Sequence, residues 1–222
     1  MKRTSSLAFA MALVSAGSLL AVDFVHPRLK QKETMIQSVV MLPPIVDMTQ
    51  TGVKGSQGMG KEAEDTVANF TSGVSSALVD RGIKVETPFS EQALQGNEEL
   101  RYAVADVQKR FDEIATQLYN KHKDVRKGRF SLGDSVAVLN TTGAVDALVI
   151  VRATGQKATK SKAFMTGGLL GMALSGNAVF QSRVAFVDAK NGDILFLGDY
   201  ISRGLPKDKT YEKSFQNIPA GK

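Results

Sequence analysis

The residues with the most chemical promise form one short stretch, GSQGMGKE, Gly55 to Glu62. Glycine, four residues, glycine and lysine begin a phosphate cradle, in which backbone N–H groups and a lysine hold a nucleotide. The cradle then needs Ser or Thr, whose hydroxyl helps hold magnesium. Here that position is Glu62, a carboxylate that would repel phosphate. A strand should also run straight into the loop, yet Pro43-Pro44 follow the nearest apolar run. VAFVD, Val184 to Asp188, has the look of a strand ending on a magnesium-binding Asp. That Asp opens a turn, where acids commonly sit. No nucleotide is therefore expected. Glu62, Glu64 and Asp65 instead suit the positive end of a helix starting near Lys61.

Other chemistry is thinly represented. The chain has no cysteine and only two histidines, His26 and His122. That removes disulfides, thiolate metal sites and cysteine nucleophiles, and argues against a histidine metal site. Neither GxSxG nor HExxH occurs. The expectation is a non-enzymatic protein with no cofactor and no metal.

The elements around these residues follow from pattern. The chain has 222 residues, 43% of them apolar, and a net charge of +6 from 28 basic and 22 acidic side chains. So mild a bias does not imply nucleic acid. Lys2 and Arg3 precede an uncharged apolar run from Leu7 to Val22, the layout of a bacterial export signal. Small residues at Ala16 and Ser18, or Ala21, offer cleavage points. Residues 1–22 are thus expected to be a signal peptide, or an uncleaved anchor, and the mature chain periplasmic. Export also argues against a nucleotide, because the periplasm holds essentially no ATP. Residues 23–34 read as a linker or an ordered arm.

One domain is expected over 35–204. Ile36 to Leu42 reads as a buried strand, and 49–60, rich in glycine, as a long loop. Val67, Phe70, Val74, Ala77 and Leu78 give a helix over about 61–81 one apolar face, with Gly82 placed for a left-handed cap. Ile83 to Glu86 alternates like a short strand. Leu100, Val104, Val107, Phe111, Ile114 and Leu118 mark a helix over about 97–127, and 132–140 a shorter one. Asp146 to Val151 reads as a central strand, followed by a basic loop from Arg152 to Lys162. Val179 to Val187 and Ile194 to Ile201 form a hairpin around Asn191-Gly192, and 205–222 is a tail. The fold class is α/β (α+β): a mixed sheet in the order β-α-β-α-β, then a hairpin, with helices packed on it.

Two features suggest contact surfaces. The glycine-rich apolar insert over 163–178 places Gly167, Gly171 and Ser175 on one helical stripe, with Gly168, Leu169, Leu170 and Met172 beside them. Such a segment is a poor helix in water and should be covered by core, subunit or membrane. Lys121, Lys123, Arg126, Lys127 and Arg129 form a basic cluster at a helix end, suited to an anionic glycan or membrane surface.

Four stretches in order resemble a group of exported bacterial domains. SVVMLPPIVD, DTVANFTSGVSSALVDRGIKVETP, GAVDALVIVRATG and VAFVDAKNGDILF resemble the TolB amino-terminal domain and the curli secretion channel (CsgG-like). The Pel polysaccharide lipoprotein and the lipoprotein activators of penicillin-binding proteins are similar in outline. The resemblance covers about Ser38 to Gly204 and implies an envelope scaffold, ring or pore subunit, with envelope proteins or further copies as partners. The chain departs from several of these in having no lipobox cysteine, and its insert does not alternate as barrel hairpins do.

Overall fold

The computed structural model describes residues 18–86, 89, 91–125, 127–140, 145–162, 165, 178–204 and 208–219. In chain order the strands are β1 (Ser18–Val25), β2 (Ser38–Met41), β3 (Ile45–Gly52), β4 (Gly55–Gly58), β5 (Lys84–Glu86), β6 (Ala147–Ala158), β7 (Val179–Asp188) and β8 (Ile194–Arg203). The helices are α1 (Pro27–Lys30), α2 (Gly60–Val79), α3 (Glu91–Gln95), α4 (Glu98–Val125), α5 (Ser135–Leu139) and α6 (Asp208–Phe215).

The strands make one mixed sheet with the path β1-β8-β7-β6-β2-β5. β6 is parallel to β2 and β3 and antiparallel to β7, while β7 and β8 form the expected hairpin. Alternation along the central strands divides the core between the two faces. Val39, Met41, Val149, Val151, Val184 and Phe186 face α2 and α6. Val40, Leu42, Leu148, Ile150, Ala185 and Val187 face α4 and α5. Helix–sheet–helix layering follows directly, because a strand apolar on both faces must be covered twice.

Each covering helix is held by its apolar stripe. α2 buries Phe70, Val74, Ala77 and Leu78, and Gly82 at φ +73° turns the chain into β5. α4 buries Leu100, Val104, Val107, Phe111 and Ala115. α6 seats Phe215 edge-on against Phe186 and Phe196, with ring centroids 5.2 and 6.0 Å away. Among the described residues, no helix is long and apolar enough to cross a membrane.

Residues 23–34 form an ordered arm, one of the two forms expected: β1 begins at Ser18, inside the apolar leader, and pairs antiparallel with β8 from Ser202 to Phe196. Two segments differ from the sequence expectation. The stretch 49–60, expected as a loop, is the hairpin β3–β4 leading into α2. Arg152 to Ala158, also expected as loop, continues β6 beside β3. β2 ends at Met41, opposite Val149, just before Pro43-Pro44, and a second strand, β3, then starts with Ile45 opposite Arg152, one residue out of step with β6.

Candidate interaction surfaces

The opening motif does not form a cradle. Gly55 to Gly58 is β4, paired with β3 through Thr49–Gly58 and Gly52–Gly55, and all four residues are exposed. The side chains of Gln50 and Gln57 meet at 3.3 Å, and those of Thr51 and Ser56 at 3.2 Å. The glycine spacing thus belongs to a polar hairpin, and Lys61 stands in the first turn of α2. Asp188 is occupied as well. It accepts from the Lys190 N–H at 3.0 Å and from the Arg28 guanidinium at 3.0 Å.

That contact belongs to the end of the sheet at the β7–β8 turn, the turn end. Arg28 also binds Asp193 at 2.9 Å, so one guanidinium joins the N-terminal arm to both acids of the turn. Asp146 accepts from the N–H groups of Gln37 and Ser38 at 2.9 and 3.0 Å, fixing the entry to β2. His26 is 7% exposed, and its Nδ1 accepts from the Arg28 N–H. Its ring lies against Gly128, whose φ is +66°. Burial, followed by the nearby Arg28 charge, holds the His26 imidazole below the usual histidine range.

The predicted basic cluster lies at this same turn end. Lys121 and Lys123 fall in the last turns of α4, and Arg126 lies outside the described residues. Lys127 is exposed, while Arg129 reaches back to Asp124 at 3.4 Å. Among the described residues of the cluster, Arg129 thus has an acid partner, and Asp188 and Asp193 at the same end are held by Arg28. The role of His26 and Arg28 was not legible in advance: HPR in a polar segment carries no sign of its distant partners.

The opposite end, named here the β4 end, has a different character. Strand register brings together Gly52 and Gly55 of the β3–β4 turn, Ala158 of β6, Val179 of β7, Arg203 of β8 and Ser18 of β1. Around this rim stand Lys54, Lys157, Lys160, Lys162 and Arg203. The stretches 49–58, 156–181 and 201–204 contain no Asp or Glu. Val53, Met165 and Val179 are 54%, 70% and 44% exposed. The β3–β4 turn and the chain after β6 enclose a hollow of about 400 Å3 whose wall includes Lys54, Ser56, Thr159 and Ser161. The predicted insert residues Gly167, Gly168, Leu169, Leu170, Gly171 and Met172 lie outside the described residues.

A half-buried polar group links β1 to the turn after α6. The carboxylate of Asp23 accepts from the Asn217 side-chain amide at 3.5 Å, and burial raises it above the usual carboxylate range. Burial and the Asp23 charge push the Tyr200 hydroxyl well above its ordinary value.

Comparison with known proteins gives likeness in fold. No protein-family model matches the chain, and no curated protein matches it. Among solved structures it is similar to the PelC dodecamer from Paraburkholderia phytofirmans, with 9% identity and a TM-score of 0.41, over 91% of this chain and 99% of that one. It is also similar to the LpoB C-terminal domain from Salmonella enterica, with 9% identity and a TM-score of 0.25, over 78% and 91%. At such identities and scores the likeness is one of general chain course.

Proposed function

We propose that this chain is an exported, non-enzymatic accessory or scaffold protein of the bacterial cell envelope. It works through contacts in outer-membrane assembly, secretion or polysaccharide export. The observation that supports this reading is the β4 end, where Val53, Met165 and Val179 are exposed on stretches that carry lysines and no Asp or Glu. A surface that combines apolar area with one sign of charge offers binding energy and orientation to another molecule. The basic-then-apolar N-terminus supports export.

Self-association belongs to this reading. Among the described residues β4 pairs with β3 alone, and its four residues are exposed, so a short strand edge is offered for pairing. Alkaline phosphatase fused after Lys222 tests the export step. The fusion is expected to be active in cells, and a fusion active only after lysis overturns the envelope reading. Sedimentation velocity of the purified chain tests association. Species larger than the 23.8 kDa monomer are expected, and a monomer at all concentrations removes the ring alternative.

A further inference from the structure

We propose that the apolar leader is removed by hydrolysis of the Ala16–Gly17 bond, so that β1 is the first strand of the mature protein. The proposal rests on the export reading, and the fold decides among the bonds that the sequence offers. The uncharged run from Leu7 to Val22 has one interruption, the small residues Ser15-Ala16-Gly17-Ser18. Its second part belongs to the sheet. Ser18–Val25 is β1, paired antiparallel with β8 through Ser18–Ser202, Leu20–Ile201 and Ala21–Tyr200, and on to Val25–Phe196. The residues that follow fasten this strand. Asp23 accepts from the Asn217 amide at 3.5 Å, Val25 is buried in the core, and the His26 N–H donates to the Leu195 carbonyl at 2.8 Å. A strand whose backbone groups are committed to β8 cannot also lie in a bilayer. The remainder is too short to anchor the chain. As a helix, residues 7–17 would rise about 16 Å, roughly half of a hydrocarbon core of about 30 Å. The choice is between an anchored chain without β1 and a folded chain without its leader. In the folded protein β1 is in place.

A leader peptidase accepts small side chains at the last and third-last positions of the leader. Cleavage after Ala21 fails twice. It puts Leu19 at the third-last position, and it takes Ser18, Leu20 and Ala21 out of the ladder, leaving Ser202, Ile201 and Tyr200 on a bare edge. Cleavage after Ser18 suits the peptidase, with Ala16 and Ser18 at the two positions, but it removes the residue that opens the ladder opposite Ser202. Cleavage after Ala16 places the compact side chains of Val14 and Ala16 there and spares every paired residue. It also leaves Leu7 to Val14 as the apolar centre of the leader, within the roughly 7–15 residues that such a centre needs. The step consumes one water. Water adds to the Ala16 carbonyl carbon, the bond to the Gly17 nitrogen breaks, and the proton of the new carboxyl group passes to the new amine. The catalyst is a membrane-bound leader peptidase of the cell.

The full chain, tagged after Lys222, is followed by pulse-chase in a bacterial host, and the first residue of the product is read from its intact mass. A product that begins at Gly17 and is released by osmotic shock is expected. Ala16→Tyr puts a bulky ring at the last leader position and is expected to slow processing about tenfold or more. The same ring would also obstruct a cut after Ser18, so Ser18→Tyr separates the two bonds. It lies beyond the proposed cut and should be processed at the unaltered rate. Both rates are read during export, before folding, so a folding defect leaves them interpretable. In the purified product, hydrogen exchange over residues 19–25 is expected to be slowed about a hundredfold or more relative to an unfolded peptide. A product beginning at Leu19 or Val22, or an unprocessed chain held in the membrane, overturns the proposal. So does unslowed processing of Ala16→Tyr, slowed processing of Ser18→Tyr, or unprotected exchange over residues 19–25. Any of these with an active phosphatase fusion leaves the envelope reading standing; an inactive fusion with an unprocessed chain removes both.

Discussion

The two ends of the sheet carry charge in different ways. At the turn end the cations have work inside the molecule. Arg28 lies 3.0 and 2.9 Å from Asp188 and Asp193, Arg129 reaches Asp124, and His26 is buried against Gly128. At the β4 end five cations ring exposed Val53 and Met165 without an acid in the stretches that carry them. Both ends read as basic segments in sequence. The difference is that ion pairs close the fold at one end, while the cations of the other lie on stretches without an acid.

Substitutions should therefore cost stability at one end and binding at the other. The largest effect is expected from Gly128→Ala. Its Cβ would meet the His26 ring, at a φ of +66° that side chains rarely adopt. A loss of roughly 2–4 kcal/mol in urea unfolding is expected, and an unchanged midpoint would detach the arm from the turn end. Arg28→Ala should cost about 1–2 kcal/mol, because it leaves Asp188 and Asp193 without their shared guanidinium. The figure is modest because the pair is partly solvated.

The next effect is one of pH. The folded His26 titrates below its unfolded value of 6.5. Between the two values the unfolded chain binds the extra proton, so stability rises with pH and is lost as pH falls from 6.5 toward the folded value. Asp23 has the opposite sign. Its folded carboxyl titrates above 3.8, so over the interval above 3.8 stability falls as pH rises. His26→Asn should remove the first slope and Asp23→Asn the second, as read from unfolding midpoints across a pH series. Smallest of all, K54Q/K157Q/K160Q/K162Q should move stability by no more than about 0.5 kcal/mol. A loss as large as that of Arg28→Ala would erase the contrast between the ends.

What was legible in the sequence follows the strength of its periods. α2 and α4 show apolar spacings of three and four, and β7 and β8 carry long apolar runs, so each was placed to within a few residues, as was the first half of β6. The hairpin β3–β4 was not legible, because GSQG is exposed throughout and buries nothing that would impose alternation. The second half of β6 had a faint signal. Ala153 is buried while Thr154 is exposed, but alternation among such small residues resembles a loop. β1 was concealed by the apolar leader, whose composition suits an export signal as well as a strand. The basic cluster near α4 was visible as composition, whereas the pairing of Arg28 with Asp188 and Asp193 spans most of the chain and had no local signal. The lysines of the β4 end were visible singly, and only strand register shows that they share a rim.

The most direct test of which end meets other molecules is photo-crosslinking in living cells. A photoreactive side chain is placed at position 53 in one strain and at position 190 in another, and adducts are compared after irradiation. Adducts to lipid or protein are expected from position 53 and not from position 190. Adducts from position 190 alone, or equally from both, would contradict the assignment of the β4 end as the contact surface.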